Sequence, residues 1–235
     1  MSAGDAASFE APSITLPRQL VIRCIWWAVG VLIVATFVAQ FAIDAWDQNN
    51  IVDLFDSDQK VNFPTAMKVL LLLSATALLA GLGISNRDRW PRHRWFGMSV
   101  VFALLTLDEM TFMHQRLSDG MHVVFHTSGP LRFAWEVVYL PFVAALAVVY
   151  LPFWRQLANP LRTRLLLAAI GFVGGSSGIE VIKSVLNDDD HWKLSFGLVA
   201  SLSDSLELLG LALLVTALLT TLGDSSPTIA FNFGP

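Results

Sequence analysis

Six carboxylates and a histidine interrupt otherwise apolar stretches of this 235-residue chain, and their types could do chemistry. Asp108 and Glu109 are adjacent in the run LDEMTFMHQ, which continues to His114. Glu136, Glu180, Asp204 and Glu207 interrupt later apolar stretches. In hydrocarbon a charged side chain costs roughly 2.5 to 3.5 kcal/mol on insertion scales, so such residues turn towards one another, a cation or water, and mark functional positions. Carboxylates and histidine on facing helices form the ligand set of helical-bundle metal sites. A divalent metal is therefore the cofactor that His114, Asp108, Glu109 and Glu136 would hold. The same residue types pass protons when buried together. Asp108, Glu109, Glu136, Glu180, Asp204 and Glu207 are thus equally candidates for acid/base catalysis. One helix alone does not make the site, because Asp108 and His114 are about 240° apart on an ideal helix. Both reach one point only if the helix unwinds near its end.

Other residues carry weaker signals. His122 and His126, in HVVFH, have the i,i+4 spacing of a zinc-binding pair but lack the glutamate that follows the first histidine in HExxH. A surface helix or interfacial loop is the favoured account of them. Ser201, Ser203 and Ser205 flank Asp204, but no histidine shares their helix, so nucleophilic catalysis would need a partner from elsewhere. Glu180 and Lys183 have the spacing of a helical ion pair. Gly171, Gly174, Gly175 and Gly178 form a stripe that reads as close helix packing. The single Cys24 excludes an intrachain disulfide and a cysteine metal cluster. With no basic patch with interleaved aromatics, nucleic acid is not expected as a partner.

The elements that position these residues follow from composition. The chain is 54% hydrophobic and 14% charged, with a mean hydropathy of +0.59, whereas soluble domains carry about 25% charged residues. Six apolar segments reach the roughly 20 residues that cross a hydrocarbon core as helix. They are Leu20–Ile43, Pro64–Ile84, Trp95–His114, Leu131–Phe153, Leu161–Val185 and Leu194–Leu222. The expected fold class is all-α, an integral membrane bundle of six transmembrane helices. It has a disordered cytoplasmic tail over 1–19, a transmembrane domain over 20–222 and a short cytoplasmic tail over 223–235. The first segment is too long for a signal peptide. Nine Lys and Arg residues fall on one side, against Lys60, Arg116, Arg132 and Lys193 on the other. Positive-inside bias then places both termini in the cytoplasm of a multi-pass inner-membrane protein. All eight tryptophans lie at or beside segment ends, where indole prefers the headgroup level.

That topology places every intramembrane charge, Lys68 included, in the outer half. The expectation is a polar chamber between the third, fourth, fifth and sixth spans, open to the outer face. Pro141, five residues after Glu136, predicts a kink beside it.

The run LDEMTFMHQRL followed by RFAWEVVYLP resembles a pattern in uncharacterised bacterial multi-helix membrane proteins. These carry Leu-Asp-Glu, then a His-Glu or similar pair, then an aromatic-Ala-Trp opening of the next helix. Gln115 stands here in place of the glutamate. The resemblance covers about 35 residues and implies no activity. Membrane hydrolases of the alkaline ceramidase type share multiple spans, an intramembrane acid and histidines. Their later helix carries a histidine pair, and none occurs in the fifth or sixth span here.

Three functional expectations follow. The first is a metal-dependent membrane-embedded enzyme acting on a lipid or small substrate. The second is a non-catalytic subunit or assembly factor of a membrane complex, and the third a proton- or cation-coupled transporter. The expected partners are the lipid bilayer and either a second copy of the chain or a membrane-complex partner.

Overall fold

The computed structural model describes residues 13–46, 53–55, 62–86, 89–125, 135–179, 193–223 and 228–232. The described residues are helical apart from one short ribbon. Its helices are α1 (Arg18–Trp46), α2 (Phe63–Ser85), α3 (Arg89–Thr111), α4 (Met113–Phe125), α5 (Trp135–Gln156), α6 (Asn159–Val173) and α7 (Lys193–Leu222). Three of them are long and apolar enough to cross a membrane: α1 over Arg18–Gln40, α2 over Phe63–Ser85 and α7 over Gly197–Leu222.

α7 is the axis of the molecule. It is the most buried of the three long apolar helices, and it packs against α1, α2 and α6. Leu208, Leu211, Ala212, Val215 and Leu218 form its share of the core, which Leu71, Leu72, Ala75 and Leu79 complete from α2. α1 contributes far less, with Trp27, Val31, Val34 and Val38 all outward-facing.

Helix α2 starts under tight local control. The Asn62 side chain caps it by accepting a hydrogen bond from the Thr65 N–H at 2.6 Å. Pro64 occupies the first turn, where no N–H is needed. α2 and α3 then run as a close antiparallel pair, with Ser99 Oγ donating to the Thr76 carbonyl at 2.9 Å.

Between α6 and α7 the packing depends on glycine. A Cβ at Gly171 would lie 3.2 Å from Gly210 Cα, and one at Gly210 would lie 2.6 Å from the Phe172 nitrogen. The glycine stripe therefore acts as expected at Gly171 and Gly175. Gly174 and Gly178 have nothing within 4 Å of an added Cβ among the described residues. After Val173 the helix continues as a π-helical turn over Gly174–Gly178.

Two expectations are corrected here. Within the N-terminal segment expected to be disordered, Ser13–Pro17 (β1) pairs antiparallel with Thr228–Asn232 (β2), joining the two ends of the chain. The third predicted span is not one helix to His114. It breaks at Phe112, a non-glycine residue with φ of 53°, and α4 starts afresh at Met113.

Candidate functional site

The break at Phe112 assembles half of the site. A continuous helix would separate Asp108 from His114, as the sequence indicates. The left-handed residue turns the chain so that the His114 N–H donates to Asp108 Oδ1 at 2.9 Å. The imidazole Nδ1 lies 2.9 Å from Asp108 Oδ2. One carboxylate thus grips both the backbone and the ring of His114. A left-handed non-glycine residue costs roughly 1–2 kcal/mol, and these two bonds oppose that strain. Across the gap, the Tyr139 hydroxyl of α5 donates to Asp108 Oδ1 at 2.9 Å.

The other half is centred on Lys68, one turn into α2. Its Nζ lies 3.0 Å from Glu109 Oε1, 3.1 Å from Asp204 Oδ1 and 3.0 Å from Glu207 Oε2. The ammonium is buried, its side chain 9% exposed, and its three donor directions match three carboxylates. Asp204 and Glu207 share a face of α7 through their i,i+3 spacing. Glu207 reaches Lys68 because the π-helical turn leaves it room: a Cβ at Gly175 would lie 2.9 Å from Glu207 Cγ. Ser203 Oγ fixes that approach by donating to the Gly175 carbonyl at 2.8 Å. A π-turn, frequent at functional sites, therefore presents its glycine to a site residue.

Both halves lie at one end of a cavity of about 1270 Å³. Asp108, Glu109, His114, Tyr139, Asp204 and Glu207 line that end. The remainder is apolar, with walls such as Leu105, Leu146, Phe172 and Leu214, and it reaches Trp95, Phe153 and Trp154. Trp95 and Phe153 stack edge-to-face there, with ring centroids 4.9 Å apart. α5 forms one whole wall, yet it meets the bundle at few points. The two tyrosines of the chain make two of its attachments. Besides the Tyr139 bond, the Tyr150 hydroxyl donates to the Arg94 carbonyl at 3.3 Å, close against Gly97. Arg94 Nη1 returns a bond to the Val149 carbonyl at 3.1 Å. The tyrosines are eleven positions apart, about three helical turns, and so share a face of α5.

Of the sequence-predicted site residues, Asp108, Glu109, His114, Asp204 and Glu207 converge as described. Glu136 and His122 belong to α5 and α4, but their side chains lie outside the described residues, as do Glu180, Lys183 and His126. Among the described residues no three His, Cys, Asp or Glu side chains group to hold a metal. Three of the acids are engaged by Lys68, and Asp108 is engaged by His114 and Tyr139. The serines around Asp204 are also committed: Ser201 and Ser205 donate to carbonyls one turn back, at 2.9 and 2.6 Å. Sequence reasoning missed the central role of Lys68 and the second span's place in the chamber, although a lone lysine inside an apolar helix was the available signal. It also missed Tyr139.

The chain belongs to the family described as Domain of unknown function (DUF8692), whose family model matches residues 25–222. Neither a curated protein nor a solved structure matches it.

Proposed function

We propose that this chain is a membrane-embedded enzyme acting on a lipid-like amphiphile, with Asp108 and His114 as its acid/base pair. One observation carries the reading: a hydrogen-bonded Asp–His pair lines the polar end of a large cavity whose remaining length is apolar. A carboxylate on Nδ1 fixes the tautomer and orientation of an imidazole, the arrangement by which histidine takes a proton from water or a hydroxyl. Tyr139 shares the same carboxylate and holds it in register. The cavity exceeds the roughly 300–1,000 Å³ of sites for small soluble ligands. Its apolar wall from Tyr139 to Trp154 extends about 22 Å at the helical rise, longer than the roughly 15 Å of one bilayer leaflet. Asp108 is bonded to the imidazole Nδ1 of His114, which favours acid/base chemistry over a shared metal as the means of catalysis.

In this proposal six spans cross the inner membrane with both termini inside, and the polar end of the cavity faces outward. The acids then lie near the outer surface, with Arg94 and Arg162 at the inner end, Arg162 stacked 5.3 Å over Trp154. A Cys24→Ser chain with single cysteines at positions 60 and 87 tests the topology: an impermeant maleimide applied outside should label position 60 and spare 87. Incubating the purified protein with a bilayer lipid extract and resolving products by mass spectrometry tests the activity. Turnover by the native chain that His114→Ala loses supports the reading; equal turnover by both sinks it.

A second reading, a non-catalytic subunit of a membrane complex, takes the Lys68 cluster as a purely structural ion network, and predicts copurification of a stoichiometric partner.

A further inference from the structure

The polar end of the cavity is unbalanced in charge. Four carboxylates line it, those of Asp108, Glu109, Asp204 and Glu207, and Lys68 is the one Lys or Arg among the described residues that do so. His114 is the remaining titratable cation. Even with His114 charged and one carboxylate protonated, one negative charge is left over. Coulomb attraction across a few ångströms is far stronger in such a poorly solvated place than in water. The charge does not continue along the cavity, where Leu146, Leu165, Phe172 and Leu214 offer only apolar surface.

We propose that the occupant of this cavity is an amphiphile with a cationic ammonium head and a long apolar chain. Its head lies against Glu109, Asp204 and Glu207, next to the Asp108–His114 pair. Its chain runs along α5 towards Trp95 and Trp154. The identification rests on the reading of the cavity as a site for a lipid-like substrate and adds its head-group class. A fatty acid would bring a further carboxylate to four already present. A small soluble cation would satisfy the charge but leave the apolar length unfilled.

The test uses the full chain in dodecyl maltoside micelles, with a nitroxide quencher near the end of a hexadecyl chain. Three probes differ only in their heads: amine, alcohol and carboxylate. Trp95 and Trp154 line the far end of the cavity, so bound probe quenches their fluorescence, and the Trp95→Phe/Trp154→Phe chain gives the micelle background. A rise in melting temperature on binding gives a second reading that needs no variant. The expected result is half-saturation by the amine at a mole fraction about ten times lower than for the alcohol, with the carboxylate weaker still. Glu109→Gln should reduce the preference for the amine over the alcohol at least about threefold. Equal binding of amine and alcohol, or an amine preference unaffected by Glu109→Gln, overturns the cationic head and leaves the lipid-like site standing. Absence of cavity-specific quenching and of stabilisation by all three overturns both.

Discussion

Asp108 and Glu109 are neighbours in the chain and belong to different networks. Glu109 turns inward to Lys68, where carboxylates from α3 and α7 share one buried ammonium of α2. Asp108 turns towards a helix break and to α5, a wall with few other contacts. One network ties three helices together through their most buried cation. The other holds a histidine at the edge of a large space. Adjacent carboxylates thus divide the work: Glu109 fixes the scaffold, and Asp108 uses the rigidity it provides to position an imidazole.

Substitutions should separate the two. Lys68→Ala leaves three carboxylates buried without their cation. Removing one partner of a buried ion network costs about 3–5 kcal/mol, so the largest loss of thermal stability is expected here. Unfolding followed in detergent measures it, and a melting temperature within two or three degrees of wild type would mean that the cluster is no staple. Glu207→Gln should fall between, since a neutral amide still accepts from Lys68.

His114→Ala should do the opposite. Loss of a general base typically costs about 10²–10⁴-fold in rate. The lost ring bond to the Asp108 carboxylate should cost about 1.5–3 kcal/mol, less than the loss at Lys68, because the backbone N–H of residue 114 keeps its bond to Asp108. Asp108→Asn should retain the fold but present the wrong partner to the imidazole Nδ1, lowering turnover about 100-fold or more. If His114→Ala proved as destabilising as Lys68→Ala, the two networks would have to be regarded as one.

The contrast also explains what could be read from the sequence. Apolar length and the clustering of Asp108, Glu109, Asp204 and Glu207 at one depth are properties of single segments, so hydropathy and a helical rise suffice to find them. The Lys68 contact depends on the register of α2 against α3 and α7, partners 41 and 136 positions away in the chain. No local pattern encodes that register. The helix break was legible only as a condition, because Phe112 offers no composition signal for a left-handed residue. Glycine at Gly171 and Gly175 was legible because small residues on one face have few other uses inside a membrane.

The glycine interface supplies a smaller test of the scaffold. At Gly210, an added Cβ meets the Phe172 nitrogen at 2.6 Å and the Ala168 carbonyl oxygen at 2.8 Å, both backbone atoms. Since neither can rotate away, Gly210→Ala should push α6 from α7 at a cost of about 1–3 kcal/mol. That shift would also carry Gly175 away from Glu207. Gly174→Ala on the same stripe, with no described atom near its Cβ, should change the melting temperature little. Equal effects from the two would argue against close packing as the reason for the stripe.

The smallest effect should come from the tyrosines, and it bears on the looser network alone. Tyr139→Phe and Tyr150→Phe each delete one hydroxyl, Tyr150 losing a bond to a carbonyl at about 1 kcal/mol and Tyr139 a bond to a carboxylate at up to about twice that. Their stability changes should therefore be small and differ little. Their functional effects should not be, because Tyr139 bonds the carboxylate that holds His114, whereas Tyr150 bonds a backbone carbonyl of α3 at the other end. Tyr139→Phe should lower turnover several-fold more than Tyr150→Phe at matched stability. Equal losses would show that both hydroxyls serve only to hold α5 against the bundle, and that Asp108 needs no help from α5 to orient the imidazole.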